Sequence, residues 1–321
     1  MSLVCLPSEI LDAALCNLQP PDLVAVASAH SRLAPFAQRL LYRELNLQSS
    51  SVALRVLRTL ARSPYIARFV RVFHLRLPPA HDALLLAPFH RLLATALSSM
   101  TALQHLSLYI NPEASSCILQ RCSTVTYPHL RSFVSNFTWS DQLVRFLEGT
   151  PDLVELGVGA HCHRASAPRP SLTPHLSIFS GSCDTARSLM QHHRFKNLYL
   201  HSGTLTEDII QHSLSQSTEL HSLTAIVGSF SVTTLSSITQ ACPSLAQLRL
   251  WTTTDLDNDF IMAVSDPISH LLASTPTMTT FELSGFHWNA GAKWKCPVVP
   301  VSGEEADQEG DAELDQGYWV Y

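Results

Sequence analysis

The sequence predicts an α/β protein in three parts. Three short helices occupy residues 1–48. A solenoid of strand–helix units follows over 49–286, with a curved, mostly parallel sheet and its helices on the convex side. An irregular acidic tail closes the chain over 287–321. Three observations predict this: a six-residue apolar pattern that recurs through the middle of the chain, proline at one fixed place relative to it, and helix-period stretches between the copies.

The helical unit begins "LPSEILDAALCNL", residues 6 to 18. Pro7 fits a first helical position, where its missing N–H costs nothing. Glu9 suits the positive end of the helix dipole. Ile10, Leu11, Ala14, Leu15 and Leu18 form an apolar stripe at helical spacing. Gln19-Pro20-Pro21 ends this helix, and Asp22 is an N-cap candidate for a second, "LVAVASA". Ser31 is the candidate cap of a third, "RLAPFAQRLLYREL". A unit this small buries too little apolar surface to stand alone, so a neighbouring domain or a partner is expected to cover it.

The recurring pattern is apolar-x-x-apolar-x-apolar. It begins at Val72, Leu103, Leu153, Phe195, Leu245 and Met278, with weaker copies at Leu130, Leu176 and Leu220. Successive starts lie 31, 27, 23, 23, 19, 25, 25 and 33 residues apart. Leucine-rich repeats run about 20–29 residues, so most intervals fit and the outer ones imply insertions. Proline stands two residues before the start in five copies, at 128, 151, 174, 243 and 276, where it stops a helix and marks a corner. Stretches such as "DQLVRFLEG", "DTARSLMQHH", "TEDIIQHSLSQS" and "VTTLSSITQAC" read as the intervening helices. No unit of this kind can bury its own apolar face, and stacking makes the core continuous. The alternating positions then share one sheet face: His74, Arg76, His105, Tyr109, Tyr199, His201, Arg249, Trp251 and Glu282. Aromatic residues and arginine are what interface hot spots favour, which makes this set the candidate target-binding surface.

Hydrophobic residues make up 46% of the chain and charged ones 15%, so a large core is expected. No apolar run approaches the ~18 residues of a membrane span, and Pro7 and Glu9 interrupt any signal-like core; the expectation is a soluble protein of the cytoplasm or nucleus, with no membrane partner. The eight scattered cysteines read as reduced thiols rather than a disulfide framework. The net charge of −5 is local, because residues 304–315 hold seven acids and no bases, and that stretch is expected to be disordered. The body is near neutral and shows no clustered basic patch, so nucleic acid is not an expected partner.

The opening residues resemble a known family. "LPSEIL", Leu18, "DL" at 22 and 23, "SR" at 31 and 32, and "LLYREL" at 40 to 45 are similar to an F-box, most of all to those of mushroom-forming fungi. The match covers about residues 4 to 46, and departs from the family where Leu33 and Phe36 occupy the region of a common tryptophan. The middle of the chain resembles the degenerate leucine-rich repeats of such proteins. The resemblance implies an N-terminal three-helix F-box on a leucine-rich-repeat-like solenoid. It implies binding to the Skp adaptor of a cullin-RING ubiquitin ligase, with an unknown target protein held by the repeats. Leu6, Pro7, Ile10, Leu11, Leu15, Leu18 and Leu23 are the adaptor-contact candidates.

No enzyme chemistry is expected, and no cofactor or metal. "HCH" at 161 to 163 falls short of a zinc ligand set, "FSGS" at 179 to 182 lacks nucleophile-elbow spacing, and no phosphate-binding glycine loop occurs. The alternatives are a repeat scaffold that recruits no ligase and, more remotely, an α/β enzyme with a site at the strand ends.

Overall fold

The protein is described here from a computed structural model covering residues 7–77, 87–160, 173–254 and 256–289. Three helices open it: α1 (Ser8–Leu15), α2 (Pro20–Ala29) and α3 (Ala34–Leu41). A single eleven-stranded sheet follows, with its strands in chain order: β1 (Glu44–Leu47), β2 (Val72–Arg76), β3 (His105–Tyr109), β4 (Ser132–Ser135), β5 (Glu155–Gly157), β6 (Ile178–Ser182), β7 (Asn197–Ser202), β8 (Ser222–Val227), β9 (Gln247–Thr252), β10 (Thr280–Leu283) and β11 (Phe286–Asn289). The pairings from β1 to β10 are parallel and the last is antiparallel. Helices lie between the strands: α4 (Ser50–Arg62), α5 (Pro64–Ala67), α6 (Ala87–Ser99), α7 (Ser115–Cys122), α8 (Asp141–Leu147), α9 (Cys183–Met190), α10 (Glu207–His212), α11 (Val232–Ala241) and α12 (Asn258–Ala273). Successive helices pack side by side, α4 on α6, α6 on α7 and α7 on α8, then α10 on α11 and α11 on α12.

Every copy of the apolar pattern contains a strand. The register aligns the second apolar position into one buried row: Leu45, Phe73, Leu106, Phe133, Leu156, Phe179, Leu198, Leu223, Leu248, Phe281 and Trp288. All but Leu45 are buried, and with the helix leucines they form one continuous core. This row corrects the frame of the first copy. Phe73 pairs with Leu106, so that copy begins at Val70, which is fully buried, and not at Val72. Leu77 extends the apolar alternation and makes a frame two residues later look equally good in the sequence.

The register also adds a copy at the start. Tyr42, Leu45 and Leu47 carry the pattern, and Leu45 and Leu47 pair with Phe73 and Leu75. Helical periodicity alone carries the third helix through residues 42–45, but it stops at Leu41. The same "LLYREL" satisfies both periods, and the neighbouring strand decides between them. The other helix starts differ too. Pro20 and Pro21 open α2 instead of ending α1, with Asp22 inside the first turn, and Leu33 stands at the N-cap of α3 in place of Ser31.

The proline corners are β-turns. Leu130, Leu153, Leu176, Leu245 and Met278 each donate their N–H to the carbonyl three residues back, with proline at the second position of the turn. Leu103 and Leu220 close the same turn with threonine there. Fixed φ at that position presets the turn that feeds each strand.

At the far end the sheet continues past the expected boundary, because residues 287–289 belong to β11. Ser284 and Gly285 both have positive φ, 45° and 93°, the type I′ pattern whose twist suits a two-residue hairpin. The hairpin folds Trp288 onto Phe281, ring centroids 5.2 Å apart, and buries it completely. The rest of the expected tail, Leu6 and the 161–163 motif lie outside the described residues. Among the described residues no helix is long and apolar enough to cross a membrane.

Candidate functional site

The sheet face opposite the core carries the target-binding candidates. Strand alternation puts all nine on it, at three levels. His105 lies level with Val72. The next level runs His74, Ser107, Val134, Gly157, Ser180, Tyr199, Thr224, Arg249, Glu282 and His287. Beyond it Arg76 faces Tyr109, and Trp251 faces Ile226.

Their surroundings differ. Trp251 is 42% exposed, a large apolar group left open to water. The Arg76 guanidinium lies 5.9 Å from the centre of the Tyr109 ring, and partial burial pushes the Tyr109 hydroxyl pKa up. Burial pulls the His74 pKa down, helped by neighbouring His105 and opposed by Glu44. Burial also lowers the His201 pKa, and its Nδ1 is 3.4 Å from the Ser180 hydroxyl. Glu282 is the exception to an accessible set. It is only 8% exposed, with Oε2 2.6 Å from Arg249 Nε and 3.6 Å from His287 Nδ1. Its carboxylate is taken up by Arg249 and His287. His287 completes this cluster, although the end of the repeat pattern in the sequence puts it in the tail.

The helical unit divides the adaptor candidates. Leu11, Leu15 and Leu23 are buried, at 4%, 3% and 5% exposure. Leu15 and Leu23 meet Ala37 in a small core of their own, with Leu18 partly buried against it. Leu11, Leu15 and Leu23 therefore spend their apolar surface inside the protein, and Leu18 part of its own. Pro7 and Ile10 remain exposed, Ile10 at 52%. Val24, at 54%, joins them on α2, and its exposure is not legible in a helix with so little segregation of apolar from polar residues.

A cleft of about 680 Å³ opens between α1, α3 and the start of the sheet, lined among others by Asp12, Arg39, Arg43, Phe69 and Arg71. Asp12 and Arg39 form an ion pair across it. The "FSGS" serine serves the fold: Ser182 Oγ accepts the Thr185 N–H and caps α9. Cys16, Cys117, Cys122, Cys183 and Cys242 are free thiols, and burial pushes the pKa of Cys122 and Cys183 up to about 11 and that of Cys242 to about 12. Among the described residues no group of three or more His, Cys, Asp or Glu is placed to hold a metal ion.

The fold and the exposed face together define an α/β protein built on one long sheet whose strands follow in chain order. No protein-family model matches the chain, and no curated protein matches it.

Proposed function

We propose that this chain is the substrate-recognition subunit of a Skp–cullin–F-box ubiquitin ligase. In this reading α1–α3 are an F-box that docks on the Skp adaptor, and the sheet with its helices is a curved leucine-rich-repeat-like solenoid that holds a target protein. The chain does no chemistry itself: it brings a target beside the charged conjugating enzyme and raises the effective concentration of the reaction. One observation carries the reading beyond resemblance. The helix α2 is mostly apolar, yet only Leu23 in it is fully buried, with Val26 and Ala27 partly so, and Val24 together with Ile10 of α1 stays open to water. A helix of that composition calls for a cover that this chain does not supply among its described residues. Target contact falls to the exposed face around Trp251, Tyr199, Arg249 and the Arg76–Tyr109 pair.

The test is co-purification with a Skp adaptor of the native chain and of an Ile10→Asp/Val24→Asp variant. Each side chain would lose about 1.5–3 kcal/mol of burial at the interface, so the double variant should bind at least tenfold more weakly. Retention of wild-type affinity by the folded variant would sink the reading.

A second reading is a protein-binding scaffold that recruits no ligase. It is favoured by the internal use of Leu11, Leu15 and Leu23, which leaves a small apolar patch for an adaptor. It predicts that the native chain fails to retain adaptor through gel filtration while still capturing its target.

A further inference from the structure

The residue that enters each strand forms a row of its own. Its backbone links are continuous: Arg71 N–H to Arg43 C=O, Gln104 to Arg71, Arg131 to Gln104, Val154 to Arg131, Ser177 to Val154, Lys196 to Ser177, His221 to Lys196, Ala246 to His221 and Thr279 to Ala246. Arg43, Arg71, Arg131 and Lys196 give this row four fixed positive charges, and it contains no carboxylate. Arg43, Arg131 and Lys196 are exposed. Arg71 is half-buried and donates one guanidinium N–H to Ala102 C=O at 3.0 Å. Negative groups stand one level further in, at Glu44 and Glu155, and Arg43 Nε lies 3.9 Å from Glu44 Oε1. The cleft beside α1 and α3 lies at the start of the row, with Arg43, Arg71 and Gln104 in its wall. Within the row itself every fixed charge is positive, while Asp152 and Glu219 stand exposed in the turns that lead into it.

The chain itself carries a complement. Between residues 305 and 315 the acids alternate strictly: Glu305, Asp307, Glu309, Asp311, Glu313 and Asp315. In an extended segment this period places every one of those carboxylates on one side, about 6.6 Å apart. The route is open as well. The antiparallel β11 runs back so that Asn289 pairs with Thr280, which brings the chain out at the entering edge of the parallel strands. From β11 to β4 is seven strand spacings, about 34 Å, and to β1 about 48 Å. The fifteen residues from Asn289 to Glu304 span about 50 Å when extended. The acidic run therefore reaches every cation of the row.

We propose that the acidic segment 304–315 of this chain docks in extended form along the entering edge of the sheet, pairing its carboxylates with Arg43, Arg71, Arg131 and Lys196. Each exposed pair is weak alone, but several in series on one tethered segment act together. The docked segment occupies the strip that any other acidic ligand would use. This stands independently of ligase recruitment.

Zero-length carbodiimide coupling of the full chain, read by mass spectrometry on the monomer, tests it. Lys196 is the one lysine among the described residues, and Lys293 and Lys295 precede the acidic run. At low salt, carboxylates of 304–315 should couple to Lys196 in the native chain, and in an Arg43→Lys/Arg71→Lys variant also to the amines introduced at 43 and 71. Coupling at these positions should fall at least fivefold in 1 M salt, where the screening length is about 3 Å. Coupling to Lys293 and Lys295 reports that the carboxylates are reactive. Tail carboxylates joined only to those two lysines, or to the edge only between molecules, would overturn the proposal. Should the variant fail to fold, Lys196 in the native chain decides alone.

Discussion

Arg249 Nε stands 2.6 Å from Glu282 Oε2, from register-matched positions on the neighbouring parallel strands β9 and β10. The two ends of the pair are unequal: the Glu282 side chain is 11% exposed and that of Arg249 45%. Removing the exposed member leaves a nearly buried carboxylate with only His287 beside it, while removing the buried charge leaves an arginine that can turn to water. Arg249→Ala should therefore cost more stability than Glu282→Gln, about 2 kcal/mol against about 1. Urea denaturation of the two variants and of the double variant checks the order and the coupling.

The helical unit separates exposure from burial on a single helix. Leu15→Ala removes a side chain from the small core and should cost about 2–5 kcal/mol. Ile10→Ala, earlier on the same helix and half open to water, should stay within about 0.5 kcal/mol. Near-equal losses in thermal unfolding would mean that Ile10 is covered within the chain.

Acid should destabilise the fold through two histidines, one buried and one half-buried. Burial lowers the pKa of His193, aided by neighbouring His192, and burial also lowers that of His201. Below the ordinary value of 6.5 the unfolded chain takes up protons that the folded one refuses, so this contribution is full above that value and is lost as pH falls toward the lower folded value. The melting temperature should drop as pH falls below about 6.5, and His193→Gln should flatten the drop. A variant with the native slope would place the titration elsewhere.

Five turns start with proline at the same position, and their contribution comes from the unfolded chain. Pro243→Ala should lower stability by about 0.4–1 kcal/mol, seen as a lower urea midpoint with an unchanged slope. A changed slope would instead indicate that the turn had opened in the native state.

Thiol reactivity gives a map of the core. Cys16 and Cys117 are exposed, whereas Cys122, Cys183 and Cys242 are buried with raised pKa values. Native iodoacetamide labelling at about pH 8 should modify the first two and spare the other three until denaturant is added.

The sequence by itself determined nine of the eleven strands, β2 to β10, and the α/β class, because a one-sided sheet needs an apolar residue at alternate places and proline presets five of the turns that feed it. It also determined which residues share the open face, since alternation along a strand is local: His74, Tyr199 and Trp251 are found where that rule puts them. Tertiary structure alone decided the rest. Only pairing with Phe73 shows Leu45 to be a strand residue, since "LLYREL" satisfies two periods at once. Only the packing of α2 on α3 separates Leu23 from Val24, neighbours of like hydrophobicity of which one is buried and the other open. The same holds for Glu282, which the hairpin places beside His287, and for the cationic row, whose four charged members are at least 28 residues apart in the chain and line up on one edge only when the strands align. Periodicity is a property of one segment. Burial and charge complementarity belong to pairs of segments, and a chain read alone contains no distances between them.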